Sequence, residues 1–498
     1  MAARDRGSKD NAPEGVLEPG YPPPVRRNLL VVSATLLALL AACTAGTPAP
    51  PGAEQSPAGT SQAPTGTSQH PAGTNQSSGD SSRPTADGSR APARNVILMI
   101  GDGLGDSEIT MARNYAVGAA GRLAIDGFPH TAASATFSVL MGTQTPDYVT
   151  DSAAAASAWA TGHQTYNGAL SIDPVTFAPL PTILEKARAA GLRTGSVTTA
   201  ALTDATPAAL VAHLPSRTCQ GPADMSGCPA AAGTASPGSI AEQSIRSGAD
   251  VLLGGGEDVF DQPITAGGPR VLDVAREQGY RVVKDLAGLT AAPAGTPVLG
   301  LFAAGQLTPV WTGPTAQPYP GPAATRCTDP NPDLPAGQPR LSELTSAALG
   351  RLSAGGDAPG FFLQVEGALI DKQSHHAEPC GQIGEVVEFD RAVRTALDWA
   401  QDHPDTLIVV TGDHAQAAQI LPPQSDADHS PGAIATLLTA DGRPMVVGYA
   451  TNLTGRQMNH TGTQVPVLAA GPSADQFTGV LDEYQLHGVM ARALGLPE

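Results

Sequence analysis

The chain has 498 residues, enough for a sizeable core, and its 28 Lys and Arg against 46 Asp and Glu give a net charge of −18. No Lys- or Arg-rich run interrupts that acidic balance, which argues against a nucleic-acid surface. An anionic substrate would therefore have to be held locally, by metal ions or a buried arginine.

Residues 1–43 read as an export signal. Arg26-Arg27 precede a moderately apolar run that ends in small residues, the order of n-region, h-region and cleavage site. The run is too short for a bilayer, which takes roughly 20 residues. Leu40-Ala41-Ala42-Cys43 resembles a bacterial lipobox, making Cys43 a lipidation candidate, and the arginine pair resembles a twin-arginine signal. A chance cysteine beside a plain cleavage site is the alternative. Residues 44–94 are dominated by Pro, Gly, Ser, Thr, Ala and Gln, so they are expected to stay disordered as a tether.

From residue 95 the pattern changes. Residues 95–100 (NVILMI) read as a buried parallel strand ending in Gly101-Asp102-Gly103, with Asp102 at the carboxyl edge where open α/β sheets bind ligands. A helix is expected over 108–115. Thr150-Asp151-Ser152 stands before a run of strong helix formers, so Ser152 falls at a helix N-terminus, where the dipole and free N–H groups favour an anion. Ser152 is thus a candidate nucleophile, with an ordinary N-cap as the bland alternative.

Residues 180–190 read as a helix and 194–199 as a strand leading to Asp204 and Thr206, followed by a helix over 208–213. Arg217 comes next, a guanidinium suited to bidentate phosphate binding. The Gly- and Pro-rich stretch 223–339, with a strand at 251–253, reads as structural and peripheral. Residues 361–365 (FFLQV) form another buried strand before Glu366, and a following helix puts Asp371 and His375 about 40° apart on one face. His376 points away. Residues 407–411 (LIVVT) repeat the motif of the first strand and end in Asp413-His414, while His460 precedes a strand over 465–469.

With Cys43 set aside, Cys219, Cys228, Cys327 and Cys380 form an even set in a chain with an export signal, which predicts two disulfides. Spacing favours Cys219 with Cys228, though three pairings are open, and a four-cysteine zinc site is the weaker alternative.

If these strands are parallel, five carboxylates (Asp102, Asp204, Glu366, Asp371, Asp413) and three imidazoles (His375, His414, His460) meet at one edge beside Ser152 and Thr206. Such a crowd demands cations. Mixed His and carboxylate ligands suit zinc; an all-oxygen set suits magnesium.

The segments NVILMIGDGLGDSEIT, PDYVTDSAAAASAWATG, DATPAALVAHLPSRTC, FFLQVEGALIDKQSHHAEPCGQIGE, VVTGDHA and NHTG closely resemble bacterial alkaline phosphatases, over about residues 95–496. The resemblance implies a catalytic domain over 95–498 with an α/β fold, a three-layer α/β/α sandwich around a large, mostly parallel sheet. It also implies a homodimer, phosphate monoesters as substrates, and two Zn2+ and one Mg2+ per subunit. Ser152 would form a phosphoserine. One zinc would take Asp371, His375 and His460, and the other Asp102, Asp413 and His414. Magnesium would take Asp102, Thr206 and Glu366, with Asp204 reached through water. Arg217 would clamp phosphate, Lys372 would reach it through water, and the cysteines would pair 219 with 228 and 327 with 380. Ser374 departs from the family pattern, where an Asp is expected, and that bears on phosphate affinity.

The residue types suit the chemistry: a metal pair roughly 4 Å apart can hold both apical oxygens of an in-line displacement, and metal-bound water ionises near pH 7. Two displacements would give net retention at phosphorus. Competing readings are a sulfatase, phosphodiesterase or phosphomutase, and, from another class, a lipid-tethered phosphate-binding protein without turnover.

Overall fold

Ten short stretches of the chain assemble into one twisted central sheet. In the computed structural model, which describes residues 92–228, 238–355, 360–423 and 431–498, these are β1 (Asn95–Gly101), β2 (His130–Ala135), β3 (Arg193–Ala201), β4 (Val251–Gly255), β5 (Arg281–Val283), β6 (Val298–Leu301), β7 (Phe361–Gly367), β8 (Thr406–Gly412), β9 (Val465–Ala470) and β10 (Val480–Asp482). Their spatial order is β10-β2-β9-β8-β1-β7-β3-β4-β6-β5. Only β9 among these ten runs against its neighbours.

The apolar runs become central strands because both faces are covered. Along β1, Ile97 and Met99 enter the core on one face with the helices Leu341–Ser353 and Pro379–Gln401. Val96, Leu98 and Ile100 enter the other, packed with the helices Ser152–Thr161 and Glu483–Ala493. The result is the expected three-layer α/β/α sandwich. No helix among the described residues is long and apolar enough to cross a membrane.

Strand register positions the catalytic edge. Gly101 on β1 pairs with Gly367 on β7 and Gly412 on β8, so three adjacent strands end level and release Asp102, Ala368 and Asp413 at one edge. Glu366 pairs with Thr198 of β3 across the next gap, which puts their side chains on one face.

Several expectations shift. The fold begins before residue 95: Ala93 is buried, and the Arg94 amide donates to the Asp405 carbonyl at 2.8 Å. The export segment, Cys43 and nearly all of the predicted tether lie outside the described residues. The stretch 223–339 is not merely peripheral, since it supplies β4, β5 and β6 at one side of the sheet. The helix expected over 208–213 instead runs Ala205–Ala208, because Asp204 accepts from the Ala205 amide and starts it early. A second, antiparallel sheet of Ala418–Leu421, Pro444–Tyr449, Ala433–Leu438 and Gln317–Pro318 adds to the elements expected from the sequence. Both disulfides, Cys219–Cys228 and Cys327–Cys380, are formed as expected.

Candidate active site

The carboxyl edge gathers the chemistry. Asp102 follows β1, and the turn that carries it is fixed by Gly103, whose φ of +69 and whose missing Cβ, only 2.7 Å from Gln416 Cγ if present, leave room for no other residue. The Gly103 amide donates to Asp413 Oδ1 at 2.8 Å, tying the ends of β1 and β8 together.

Ser152 is the first residue of the helix Ser152–Thr161, but it is not the cap. Asp151 is: its carboxylate accepts from the Ala154 amide at 3.0 Å. Asp adjoins the helix and is as good a cap as Ser, so the sequence carries the signal for this arrangement one residue before the expected position. Freed from capping, the Ser152 hydroxyl lies 3.3 Å from His414 Nε2 and is buried.

His460 reaches the same edge for a reason opposite to the one expected. It precedes β9, and β9 is antiparallel to β8, so the start of β9 lies beside the ends of its neighbours. A residue before a parallel strand would have been carried to the far edge.

Three imidazoles then converge. His375 Nδ1 donates to the Met458 carbonyl and His460 Nδ1 to the Thr150 carbonyl, at 3.1 Å for the latter, which leaves both Nε2 atoms as bare acceptors. Yet those two atoms are 3.0 Å apart. Two lone pairs at that distance repel unless a proton or cation lies between them, and two imidazoles on one tetrahedral zinc have nitrogens about 3.3 Å apart. Asp371 sits 3.2 Å from His375 Nε2 and 3.5 Å from His460 Nε2, and Gln416 Nε2 donates to it. Burial pushes the Asp371 carboxyl up, but His375, His460 and His414 outweigh it and hold it well below the usual range.

The ligand atoms of Asp371, His414 and His460 lie within 4.8 Å of one another, as do those of Asp102, Asp413 and His414. The second trio matches the expected set, whereas the first has His414 where His375 was expected, with His375 adjoining. Burial and then the Asp371 charge drive Asp413 up to about 6, and burial with the charges of Asp371 and Asp413 drives Asp102 well up. Asp102 Oδ1 and Asp413 Oδ2 have no hydrogen-bond partner. Orphaned buried acceptors aimed at one point are the signature of a cation site. The donor set therefore fits zinc.

A third cluster is all oxygen. Burial raises Glu366 to about 8, against a hydrogen bond donated by Thr198 Oγ1. The nearby Thr206 hydroxyl is buried and makes no hydrogen bond within the protein. With Asp102 alongside, this set fits a hard cation such as magnesium.

Across the site lies a chain of ion pairs. Arg217 bridges Asp151 at 3.2 Å and Asp204 at 2.7 Å, and Lys372 contacts Asp204 at 2.8 Å. Burial alone would lower the Arg217 and Lys372 pKa values, but Asp204 overrides it and both stay firmly cationic. Asp204 itself is held far below the carboxylate range by the same two cations, against the effect of burial. Every catalytic and metal-ligating candidate predicted from the sequence thus lies in this region, and Asp151, Thr198 and Gln416 join it. Ser374 is buried beneath, its hydroxyl without a partner.

A parallel α/β sheet that presents a serine at a helix N-terminus to convergent imidazoles, carboxylates and a fixed guanidinium defines a metal-assisted phosphoryl-transfer enzyme. The chain belongs to the alkaline phosphatase family, whose sequence model matches residues 93–458, and it is a phosphatase of the hydrolase class. It is 54% identical to a streptomycin-6-phosphate phosphatase of Streptomyces griseus, over 82% of this chain and 91% of the relative. Identity is 49% to an alkaline phosphatase of Escherichia coli, over 81% of this chain and 87% of the relative. Among solved structures, the alkaline phosphatase from a psychrophilic Shewanella aligns with a TM-score of 0.60 at 27% identity, covering 81% of this chain and all (100%) of that one.

Proposed function

We propose that the chain hydrolyses phosphate monoesters through a phosphoserine on Ser152, outside the cytoplasm. The observation that carries this is the Ser152 hydroxyl, freed from capping by Asp151 and lying against His414 at the helix N-terminus. Zinc ions held by Asp371, His375 and His460 and by Asp102, Asp413 and His414, with magnesium at Asp102, Thr206 and Glu366, would neutralise the ester oxygens and supply hydroxide near pH 7.

The chain's own groups do the rest. Ser152 Oγ attacks phosphorus and gives its proton up to solvent, the ester P–O bond breaks, and the departing oxygen takes a proton from solvent to leave as the alcohol. Water then attacks the same phosphorus, the P–Oγ bond breaks, and phosphate leaves with the serine hydroxyl restored. Arg217 offers two fixed N–H donors to the non-bridging oxygens, and Asp151 and Asp204 hold its plane. Lys372, positioned by its ion pair with Asp204, would reach phosphate through water. Because attack and departure are in line, the alcohol leaves on the His375 and His460 side.

The Ser152→Ala variant tests the reading. Turnover of an aryl phosphate should fall by at least about a thousandfold, and acid quenching should no longer trap labelled phosphate on the protein. Near-normal turnover in that variant would overturn it.

Export is supported by two disulfides, which suit an oxidising compartment. Lipidation of Cys43 would tether the enzyme to the outer face of the membrane through residues 44–94, and a homodimer is the assembly we propose. Metabolic labelling with a fatty acid, lost in Cys43→Ser, checks the anchor.

A further inference from the structure

We infer that the cavity beside His375 is a subsite for the departing alcohol, selecting an anionic substituent through Arg456. The inference rests on the reading that the alcohol leaves on the side of His375 and His460.

The cavity measures about 250 Å³ and shares His375 with the catalytic centre. Its polar wall is Thr315, Gln317, His376, Thr454, Arg456 and Gln457. That volume takes a small ring or a short chain bearing one charged group. None of its lining residues is acidic, in a chain that carries 46 Asp and Glu. The polar cleft at Glu108 on the other flank of the site, by contrast, includes Asp106 and Glu108.

Arg456 is held where it can act. The Met458 amide donates to the His375 carbonyl at 2.9 Å, while His375 Nδ1 donates to the Met458 carbonyl. Two reciprocal bonds thus fasten this loop to a residue of the catalytic centre. Arg456 is two residues upstream, a chain distance of at most about 7 Å. A turn from the Arg456 amide to the Leu453 carbonyl, 3.0 Å, closes its backbone, and Arg456 lines the cavity.

Its charge is also available. Arg113 is paired with Asp126 and Arg492 with Glu498, while Arg217 is held by two aspartates at the catalytic centre itself. Arg456 is exposed and has no ion pair among the described residues. A guanidinium with open N–H groups pairs readily with a carboxylate or a second phosphate. Because the group is exposed, solvent and salt limit the gain to about threefold to fivefold.

The zinc- and magnesium-loaded enzyme is assayed on phenyl phosphate and 4-carboxyphenyl phosphate, and the ratio of kcat/KM for the carboxylated ester to that for phenyl phosphate is compared between variants. This comparison cancels the intrinsic reactivity of the two esters. Arg456→Ala should lower the ratio about threefold, chiefly through KM of the carboxylated ester, and Arg456→Glu should lower it further; both effects should shrink in 0.5 M salt, about 4 Å of screening length. Arg281→Glu, on the far edge strand β5, should leave the ratio unchanged. A ratio that is the same in Arg456→Glu as in wild type overturns the subsite. So does an equal shift in Arg281→Glu, which would mean a long-range field instead of contact. If the wild type hydrolyses neither ester, the catalytic reading itself is what fails.

Discussion

Two halves of the catalytic edge solve opposite electrostatic problems. In the chain Asp151, Arg217, Asp204 and Lys372, each charge has an opposite charge within 3.2 Å, so this half is complete in the protein alone. In the cluster of Asp102, Asp371, His375, Asp413, His414 and His460, acceptors face acceptors, and buried oxygens of Asp102 and Asp413 are orphaned. The first half is preorganised to receive phosphate oxygens, while the second is a mould shaped for cations. One consequence is that metal and phosphate binding should be separable by experiment.

Chelation attacks the second half only. Removing the metals should lower aryl phosphate hydrolysis by at least about a thousandfold, with recovery on adding zinc and magnesium together. Full activity after exhaustive chelation, checked by elemental analysis, would sink the comparison.

Arg217→Ala attacks the first half and should lower kcat/KM about a hundredfold, the usual effect of losing one preorganised donor group. Arg217→Lys should recover only part, because an ammonium cannot satisfy Asp151, Asp204 and phosphate from one plane. Bound zinc should be unchanged in both variants. If zinc content falls with Arg217, the two halves are not independent.

The halves also differ in how metal-free protein responds to pH. Burial lifts Asp102 well up, Asp413 to about 6 and Glu366 to about 8, so the fold holds protons that the unfolded chain has released. Their contribution is fully present below the ordinary carboxylate pKa of about 4 and is lost as pH rises toward 8. Asp204 has the opposite sign, being held low by Lys372 and Arg217 against burial, so its contribution is lost only on acidification below about 4. The metal-free melting temperature should therefore fall by roughly 5 °C between pH 5 and pH 8. Metal-loaded protein should not show this fall, and calorimetry on both forms distinguishes them.

Most of this edge is legible in the sequence, because its residues carry rare chemistry at the ends of unmistakable apolar strands. Asp102 and Asp413 stand in repeated strand-Gly-Asp patterns, and β1 and β8 do end level. What escapes is relational. His460 is expected from a parallel strand and arrives through an antiparallel one, a distinction that strand pattern alone does not carry. Gln416 reads as an ordinary polar residue until Asp371 is seen beneath its amide. The edge strand β5 and its neighbour β6, only three and four residues long, are hidden in a Gly- and Pro-rich stretch that gives no strong period.

Thr198 is the sharpest case and yields the smallest predicted effect. It sits in a strand whose interior is buried, and only the register that pairs it with Glu366 reveals its role. Its hydroxyl donates to Glu366 and accepts from the Ala200 amide at 2.9 Å, so it orients the carboxylate for a cation while keeping its own acceptor satisfied. Thr198→Val keeps the shape and removes both bonds, at a cost of about 1 to 3 kcal/mol in stability. It should also raise the magnesium concentration for half-maximal activity about tenfold, the usual scale for a group that orients a metal ligand, without altering zinc content. Thr198→Ser restores the hydroxyl but not the methyl. If magnesium titrations of the Ser and Val variants coincide, Thr198 serves packing alone, and the oxygen-only cluster is organised by Asp102 and Thr206 without it.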